Sequence, residues 1–354
     1  MSAERIFSLS TCSLLYLGLV AALAGPAHAQ EPFPLTLTKV IPVAGFSNTI
    51  TMIPIRCDSD GNIYVRGYRM HNTATVPVVK ISADGEKTTV FSLDKVTDPD
   101  SLHNGAITDF TVSPRGQLYM LARQANDSYV VQFDSDGEFE STTKLQSSFF
   151  PLKIAVFPSD DFLISGSLIK DTNDAPSGTA ETAIFDRTGK FVKNLTLQGD
   201  VKLGIASNLP KGSEIAEQEK TAPGAQIALG TAIVGDDGNV YMYRLSSQLV
   251  VYVISGDGQV LRRLTLKPPG SGYVPDTIKE AGGTLVVDFD LGNPKEGTSN
   301  QYIYSLFNAE TGEKVADYKP SKEIRGNFAC YTPNGFTFLT VAGGKGELIQ
   351  AALR

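Results

Sequence analysis

A short phrase that joins a polar turn to a β-rich run recurs six times along the chain and limits what the chain can fold into. The first copy, Asp60–Val65, reads Asp-Gly-Asn-Ile-Tyr-Val. The others are Arg115–Met120, Asp160–Ser165, Asp237–Met242, Gly282–Val287 and Asn334–Leu339. Asp-Gly and Asn-Gly favour two-residue hairpin turns, because glycine adopts positive φ at no steric cost. The repeat therefore predicts successive β-hairpins.

A second turn follows each of the first five copies. These turns are Asp84-Gly85, Asp136-Gly137, Thr188-Gly189, Asp257-Gly258 and Thr311-Gly312. Two tight turns in each unit define four strands, which we name a to d, with the turns between a and b and between c and d. Self-similarity with a fixed period is a signature of propellers and other repeat architectures.

The two ends of the chain predict how the repeats close. The sixth unit supplies strands a to c at 327–332, 336–341 and 347–353 but no strand d, whereas segment 35–43 has the composition of a strand d. We therefore predict an all-β fold, a single six-bladed β-propeller of four-stranded blades, with the ring closed by the N-terminal strand completing the last blade. Two stacked sandwiches or an irregular all-β chain are the alternatives, and the spare strand favours the propeller.

The unit resembles the NHL-type repeats of six-bladed propellers, in which a Gly-x-apolar-Tyr-Val strand precedes an apolar strand ending in Asp-x-x-Gly. Gly61–Val65 carries the first part of that pattern. The resemblance extends over nearly all of residues 30–354 and implies a six-bladed fold. It implies little about function, because one fold supports many functions.

Residues 1–29 have the features of a secretory signal peptide. Arg5 supplies a basic start, residues 6–23 are mostly apolar, and Ala27-His28-Ala29 forms a cleavage site. An uncleaved membrane anchor is the alternative, but small and turn-forming residues interrupt the apolar run. We therefore expect a periplasmic or secreted protein whose propeller occupies residues 30–354, with no membrane attachment after cleavage.

The charge of the chain limits its partners. Lys and Arg number 31 against 38 Asp and Glu, and the net charge of −7 is unchanged when residues 1–29 are removed. A mildly acidic chain without Lys/Arg clusters argues against nucleic acid and anionic membranes as partners. We expect a monomer.

Two cysteines, Cys57 and Cys330, follow the signal peptide. Both fall on innermost strands of neighbouring blades, and an oxidising compartment would let them pair. The repeat register places them one residue apart on opposite pleats, which disfavours a bridge. Two buried free thiols are the favoured expectation, and a disulfide is the alternative.

All the long connections fall on one face of the predicted propeller, because the tight turns share the opposite face. The longest connection, 198–225, is inserted between blades 3 and 4. Loops longer than about 12–15 residues are uncommon and often functional or disordered. This segment is either a lid or partner-docking element, or a solvated insertion, and both interpretations stay open.

Six-bladed propellers that hydrolyse lactones or phosphoesters hold a metal in the central channel, and the resemblance implies where its ligands would lie. Counting eight residues back from each turn glycine identifies Ile53, Thr108, Lys153, Gly230, Pro275 and Asn327. This ring contains no carboxylate, whereas Ca²⁺ prefers six to eight oxygen ligands. We therefore predict no metal and no cofactor. The Asp-x-Asp-Gly turns at 58–61 and 134–137 lack EF-hand spacing, and their recurrence indicates hairpin chemistry.

A hydrolase or lyase with a site at the channel mouth is the alternative function. His71 and His103 are the only histidines after the signal peptide. With Asp100 and Asp109 they are the plausible members of an acid/base or metal site. The chain carries none of the common nucleophile, P-loop or dinucleotide motifs.

The loop-rich face around the channel mouth is where we expect a ligand to bind. Polar and aromatic residues gather there: Arg66, Tyr68, Arg69, His71, His103, Arg123, Lys153, Tyr273, Asp276, Arg325 and Asn327. Four arginines and a lysine around one funnel of an acidic protein favour an anionic ligand. We therefore expect a non-catalytic binding or interaction protein for a small polar or anionic ligand, a glycan or a peptide.

Overall fold

The computed structural model describes residues 31–46, 51–67, 75–97, 100–168, 179–195, 197, 232–244, 249–291, 302–342 and 344–353. The chain divides into two units, Met1–Glu31 and Pro32–Arg354, and the strands of the described residues belong to the second. Among the described residues, the short 3₁₀ helices Leu93–Lys95 and Asp100–Asn104 lie between strands. In the described ranges, no helix has both the length and the apolar character needed to cross a membrane.

Four of the sheets each contain four consecutive antiparallel strands. The first holds β2 (Thr51–Cys57), β3 (Ile63–Gly67), β4 (Val78–Ile81) and β5 (Thr88–Phe91), and the second holds β6 (Ala106–Val112), β7 (Leu118–Gln124), β8 (Asp127–Phe133) and β9 (Phe139–Lys144). The third holds β10 (Phe150–Val156), β11 (Phe162–Leu168), β12 (Thr179–Phe185) and β13 (Phe191–Asn194). The fourth holds β14 (Ala232–Val234), β15 (Val240–Arg244), β16 (Leu249–Ile254) and β17 (Val260–Leu266).

The fifth sheet has eight strands and consists of two antiparallel groups. One group is β18 (Tyr273–Ala281), β19 (Thr284–Leu291), β20 (Tyr302–Asn308) and β21 (Lys314–Pro320), and the other is β22 (Asn327–Thr332), β23 (Gly335–Ala342), β24 (Lys345–Ala352) and β1 (Phe33–Pro42). The later part of β1 pairs with β24, and its first three residues pair in parallel with β21. We predicted six separate four-stranded sheets, but the last two groups share one hydrogen-bonded sheet. The reason is that the ten-residue β1 pairs with both β21 and β24.

The first strands of the six units contact one another in order. β2 contacts β6, β6 contacts β10, β10 contacts β14, β14 contacts β18, β18 contacts β22, and β22 contacts β2. The hydrophobic core lies between successive sheets, where, for example, Phe91 of β5 and Phe133 of β8 pack edge to face with ring centroids 5.9 Å apart. The chain is an all-β protein with a propeller-like arrangement.

The carboxylates of the repeated turns bind their own hairpins. Asp58 accepts hydrogen bonds from the backbone N–H groups of Asp60 and Asn62 at 3.1 and 2.9 Å and from the Tyr64 hydroxyl at 3.0 Å. Asp134 accepts two backbone N–H groups at 2.9 Å in the same way. Side chains that satisfy turn donors favour the turn conformation, so the interpretation of these motifs as hairpin chemistry is confirmed.

Cys57 of β2 and Cys330 of β22 form a disulfide, with their Cα atoms 5.6 Å apart. The expectation of two free thiols is therefore wrong. It assumed an unbroken pleat, but the strand ladders shift register between Met52 and Arg56 and between Phe328 and Cys330. A bulge changes the direction of the side chains around it, so the two sulfur atoms meet. The bridge joins the first repeat to the last.

Gly166 of β11 lies against the main chain of β10. A Cβ atom at this position would overlap the carbonyl oxygen of Phe150, a backbone atom that cannot swing aside. We expect Gly166→Ala to lower the free energy of unfolding by about 1–3 kcal/mol, measured by urea denaturation. Gly256→Ala is the matched control, because a Cβ there meets nothing within 4 Å. Equal effects of the two substitutions would contradict this close approach.

Candidate functional site

Part of the predicted rim falls on residues that the structure does not describe. Tyr68, Arg69 and His71 lie outside the described residues, as does the inserted segment 198–225. Asp100 begins a 3₁₀ helix, but its side chain is also outside the described set. The acid/base site predicted for the enzyme alternative therefore keeps two of its four members, His103 and Asp109, within the described structure.

Three of the predicted mouth residues, Arg66, His103 and Arg123, bind the protein's own main chain. Arg66 is buried in β3, where Nε donates to the carbonyl of Val76 at 3.2 Å and Nη1 to that of Ile107 at 3.0 Å. Its assignment to an open rim is wrong, because strand β3 carries it into the interface between units. His103 Nε2 contacts the carbonyl oxygen of Val96.

Arg123, at the end of β7, donates to the carbonyl of Ala125 at 2.9 Å and lies over the ring of Phe150 at 4.2 Å from its centroid. Lys153 and Tyr273 are half-buried, and Arg325 is exposed. None of these five side chains (Arg66, His103, Arg123, Lys153 and Arg325) lines the pocket that the structure forms near the mouth.

Asp276 and Asn327 are the predicted site residues that the structure brings together. They line a cavity of about 40 Å³ between the β18–β21 group and β22. We call it the acidic pocket, and its lining is Ile55, Asp276, Thr277, Asp288, Tyr302, Tyr304, Gly326, Asn327 and Phe328. The strand ends that form it adjoin the long connections, so it lies on the loop-rich side of the inner strands.

A bulge places Asp276 at this pocket. β18 shifts register against β19 between Pro275 and Thr277, which leaves Asp276 as the extra residue. Beyond the bulge, Thr277 pairs with Asp288, and Asp288 pairs in turn with Tyr304 on β20. One row across three strands therefore supplies the carboxylate and the phenol at the floor of the pocket, while the more exposed Asp276 forms part of its rim.

The carboxylate of Asp288 is the most unusual group in the pocket. Its residue is only 3% exposed, and its Oδ1 has no hydrogen-bond partner in the described part of the chain. Burial, followed by the nearby charges of Asp276 and Asp290, raises the pKa of Asp288 well above its usual range, and Lys279 opposes this in part. Buried polar groups are normally hydrogen-bonded. A hydrogen-bond donor bound in the pocket could provide the partner that this carboxylate lacks.

Aromatic rings form the other walls of the pocket. Tyr304 is buried and packs edge to face against Phe328, with ring centroids 5.2 Å apart. Tyr302 is half-buried nearer the opening. Gly326 also belongs to the lining, and only glycine fits there, because its φ is +99° and a Cβ would overlap the carbonyl of Leu339. The pocket thus combines a buried carboxyl group with aromatic rings.

Charged side chains cross the interior beyond the acidic pocket. Arg56 of β2 donates from Nη1 to the carbonyl of Ala232 on β14 at 2.6 Å, and its Nη2 lies 3.4 Å from Asp109 Oδ2 on β6. The same Asp109 oxygen accepts the backbone N–H of Ile154 on β10 at 3.1 Å. Both side chains of the ion pair are almost fully buried. This network, which we call the channel plug, ties together strands of four units.

Lys279 of β18 joins the channel plug by donating to the carbonyl oxygen of Ile55. Burial, followed by the charge of Arg56, lowers the pKa of Lys279 to about 7, and the carboxylates of Asp288 and Asp276 oppose this. Asp109 serves this network and is held by Arg56, which argues against its role as a general base. Within the residues described, no three His, Cys, Asp or Glu side chains form a group suited to a metal ion.

No family model and no curated protein matches this chain. Many solved structures resemble it, among them the following three. A protein of unknown function from Bacteroides caccae is 12% identical, with 81% of this chain and 94% of that chain covered and a TM-score of 0.45. Virginiamycin B lyase from Staphylococcus aureus is 12% identical, with 89% and 99% covered and a TM-score of 0.44. The Pan2 WD40 domain of Neurospora crassa is 8% identical, with 92% and 98% covered and a TM-score of 0.45. Our assignment of the fold rests on the strand pairing and not on these likenesses.

Proposed function

We propose that this chain is an exported binding protein whose acidic pocket receives a small organic cation. The observation that carries the proposal is the buried Asp288 carboxylate, which belongs to the lining of the pocket and whose Oδ1 has no hydrogen-bond partner among the described residues. An ammonium group would supply both the missing donor and the missing positive charge. A hydrogen bond to a charged group contributes about 1.5–3 kcal/mol.

The pocket favours an organic cation over a metal ion. Ca²⁺ requires six to eight oxygen ligands, whereas the described carboxylates at this position do not form a metal-binding group. Tyr302 and Phe328 belong to the lining, and aromatic rings can bind alkylammonium groups by cation–π interactions. One water needs about 10–15 Å³, so a cavity of about 40 Å³ admits an ammonium head with one or two carbons.

The charge of the pocket does not support the anionic ligand expected from the sequence. That expectation depended on arginines, yet Arg66 is buried and Arg123 stacks on Phe150. Carboxylates, not cations, line the cavity that the structure forms. A primary amine, free or at the end of a peptide or lysine side chain, is the chemical class that fits.

The same proposal includes six blades, with the eight-stranded sheet counted as two. The ring of contacts from β2 to β22 supports this count, and so does the antiparallel pairing of β1 with β24, which completes a fourth strand. Cleavage of residues 1–29 and a relationship to NHL-type repeats belong to the proposal as well.

We expect ethylammonium to bind the purified protein in an NMR or calorimetric titration, with ethanol and acetate, its neutral and anionic analogues, binding at least tenfold more weakly. Asp288→Asn removes the charge at nearly constant shape and should lower the affinity for ethylammonium about 10- to 100-fold. Asp136→Asn is the control, because Asp136 is an exposed turn residue paired with Lys87. Unchanged affinity in Asp288→Asn, or preference for acetate, would contradict the proposal.

A further inference from the structure

A second small cavity lies in the channel plug, among the inner strands β2, β6, β14 and β18. It is lined by Arg56, Cys57, Thr111, Val112, Ile233, Val234, Lys279 and Glu280. We propose that it binds a monovalent anion of halide size, held by Arg56, Thr111 and Lys279. The site shares no lining carboxylate with the proposed cation pocket, although the charges of Asp276 and Asp288 act on Lys279.

Two residues of this lining carry a buried hydrogen-bond donor that has no partner in the part of the chain that the structure describes. The donors are the Nε–H of Arg56, whose residue is 5% exposed, and the hydroxyl of Thr111, whose residue is 1% exposed. The other two nitrogens of the Arg56 guanidinium already bind Ala232 and Asp109, so Nε–H is the donor left over. Buried polar groups without partners are rare, and two on lining residues of one cavity indicate a missing acceptor.

The charges around the cavity indicate that the acceptor is negative. Arg56 and Lys279 are both buried, and the charge of Arg56 disfavours the charged form of Lys279. Asp109 compensates one of these cations through its 3.4 Å contact with Arg56. Asp288 and Asp276 supply opposite charge near Lys279, and an anion in the cavity would add a counter-charge for both cations. Buried charge without a counter-charge is costly, so a halide stabilises this arrangement more than a water does.

The lining residues also limit which groups can contact an ion in the cavity. Glu280, the one carboxylate of the lining, accepts the backbone N–H groups of Asp236 and Gly283 at 2.8 and 2.9 Å and is therefore held at the tight-turn end. Lys279 uses one of its three N–H donors on Ile55. The volume of about 40 Å³ is sufficient for one chloride or bromide ion. The apolar side chains of Val112 and Ile233 complete the wall.

The test compares the thermal unfolding of the purified protein in sodium chloride and in sodium gluconate at the same ionic strength. We expect the midpoint to rise by several degrees with chloride and to saturate, because a ligand that binds only the folded state stabilises it. Thr111→Val should reduce this response at least by half. Thr142→Val is the matched control, because it removes another unpartnered buried hydroxyl outside the cavity. Asp288→Asn should not lower the response, because Asp288 is not part of this lining and its removal leaves Lys279 with one counter-charge fewer; this separates the site from the cation pocket.

Equal midpoints in both salts, or an undiminished response in Thr111→Val, would overturn the proposal. If Thr111→Val does not fold, crystals of the unaltered protein grown in bromide decide the matter. An anomalous bromide peak within hydrogen-bond distance of Arg56 Nε is the expected result. Water density without an anomalous peak at that position would refute anion binding.

Discussion

Replacing Cys57 and Cys330 by alanine should lower the free energy of unfolding by about 5 kcal/mol, a large share of the stability of a typical domain. The bridge closes a loop with a sequence separation of 273 residues, and the entropy that a cross-link removes from the unfolded chain increases with loop length. It also joins the first inner strand to the last. Urea denaturation of the oxidised protein and of the double variant measures the difference.

A reductant provides the control for this prediction. It should shift the unfolding midpoint of the unaltered protein to that of the double variant and leave the double variant unchanged. A double variant as stable as the oxidised protein would show that the pairing of β2, β22 and their neighbours closes the ring without help from the bridge.

Arg56→Met should lower the free energy of unfolding by about 3–5 kcal/mol, because it leaves the carboxylate of Asp109 buried without its partner. The substitution also removes the 2.6 Å hydrogen bond to the Ala232 carbonyl on the far side of the ring. Chemical denaturation at neutral pH measures the loss.

The double variant Arg56→Met/Asp109→Asn separates charge from packing. The amide that replaces the Asp109 carboxylate is neutral, and its oxygen could still accept the N–H of Ile154, so part of the lost stability should return. Strict additivity of the two single substitutions would contradict the pair's coupling. Lys144→Met, which breaks the exposed pair with Asp127, should cost no more than about 1 kcal/mol.

The sequence predicts the hairpins well, because their signals are local. Asp-Gly turns and the β-rich runs that follow Gly61 and Gly238 are enough to place strands β3 and β15, and both glycines have positive φ. The predicted length of the turns is wrong: the Asp58 N–H binds the Asn62 carbonyl and the Gly61 N–H binds the Asp58 carbonyl, so the loop has three residues and not two. The segment predicted as a spare strand d pairs with β24. The turns and strands were predicted from residues close to one another in the sequence, and the pairing of β1 was predicted from the number of strands in each unit.

The site residues were predicted less accurately, because β-bulges change the residue spacing from which they were counted. Counting eight residues back from the turn glycine identifies Pro275, whereas the register shift places Asp276 at the pocket. The same effect misplaced Cys57 and Cys330. A one-residue shift moves side chains to the opposite face of a strand, and the local sequence carries no strong signal for it.

One clue to the acidic pocket was present in the sequence. Asp288 and Asp290 interrupt the otherwise apolar run Leu285–Leu291, and a carboxylate within a strand buried on both faces needs a partner or a function. Tyr304 could not be identified as a pocket residue from the sequence, because a tyrosine in a strand usually belongs to the hydrophobic core. Its role follows only from the register that sets it beside Asp288.

The most direct test of cation binding is a crystal structure of the unaltered protein with ethylammonium at a saturating concentration. We predict density in the acidic pocket, with the nitrogen within about 3 Å of Asp288 Oδ1 and the carbons against the ring of Tyr302. Ethylammonium bound elsewhere, with only water on Asp288, would contradict the account.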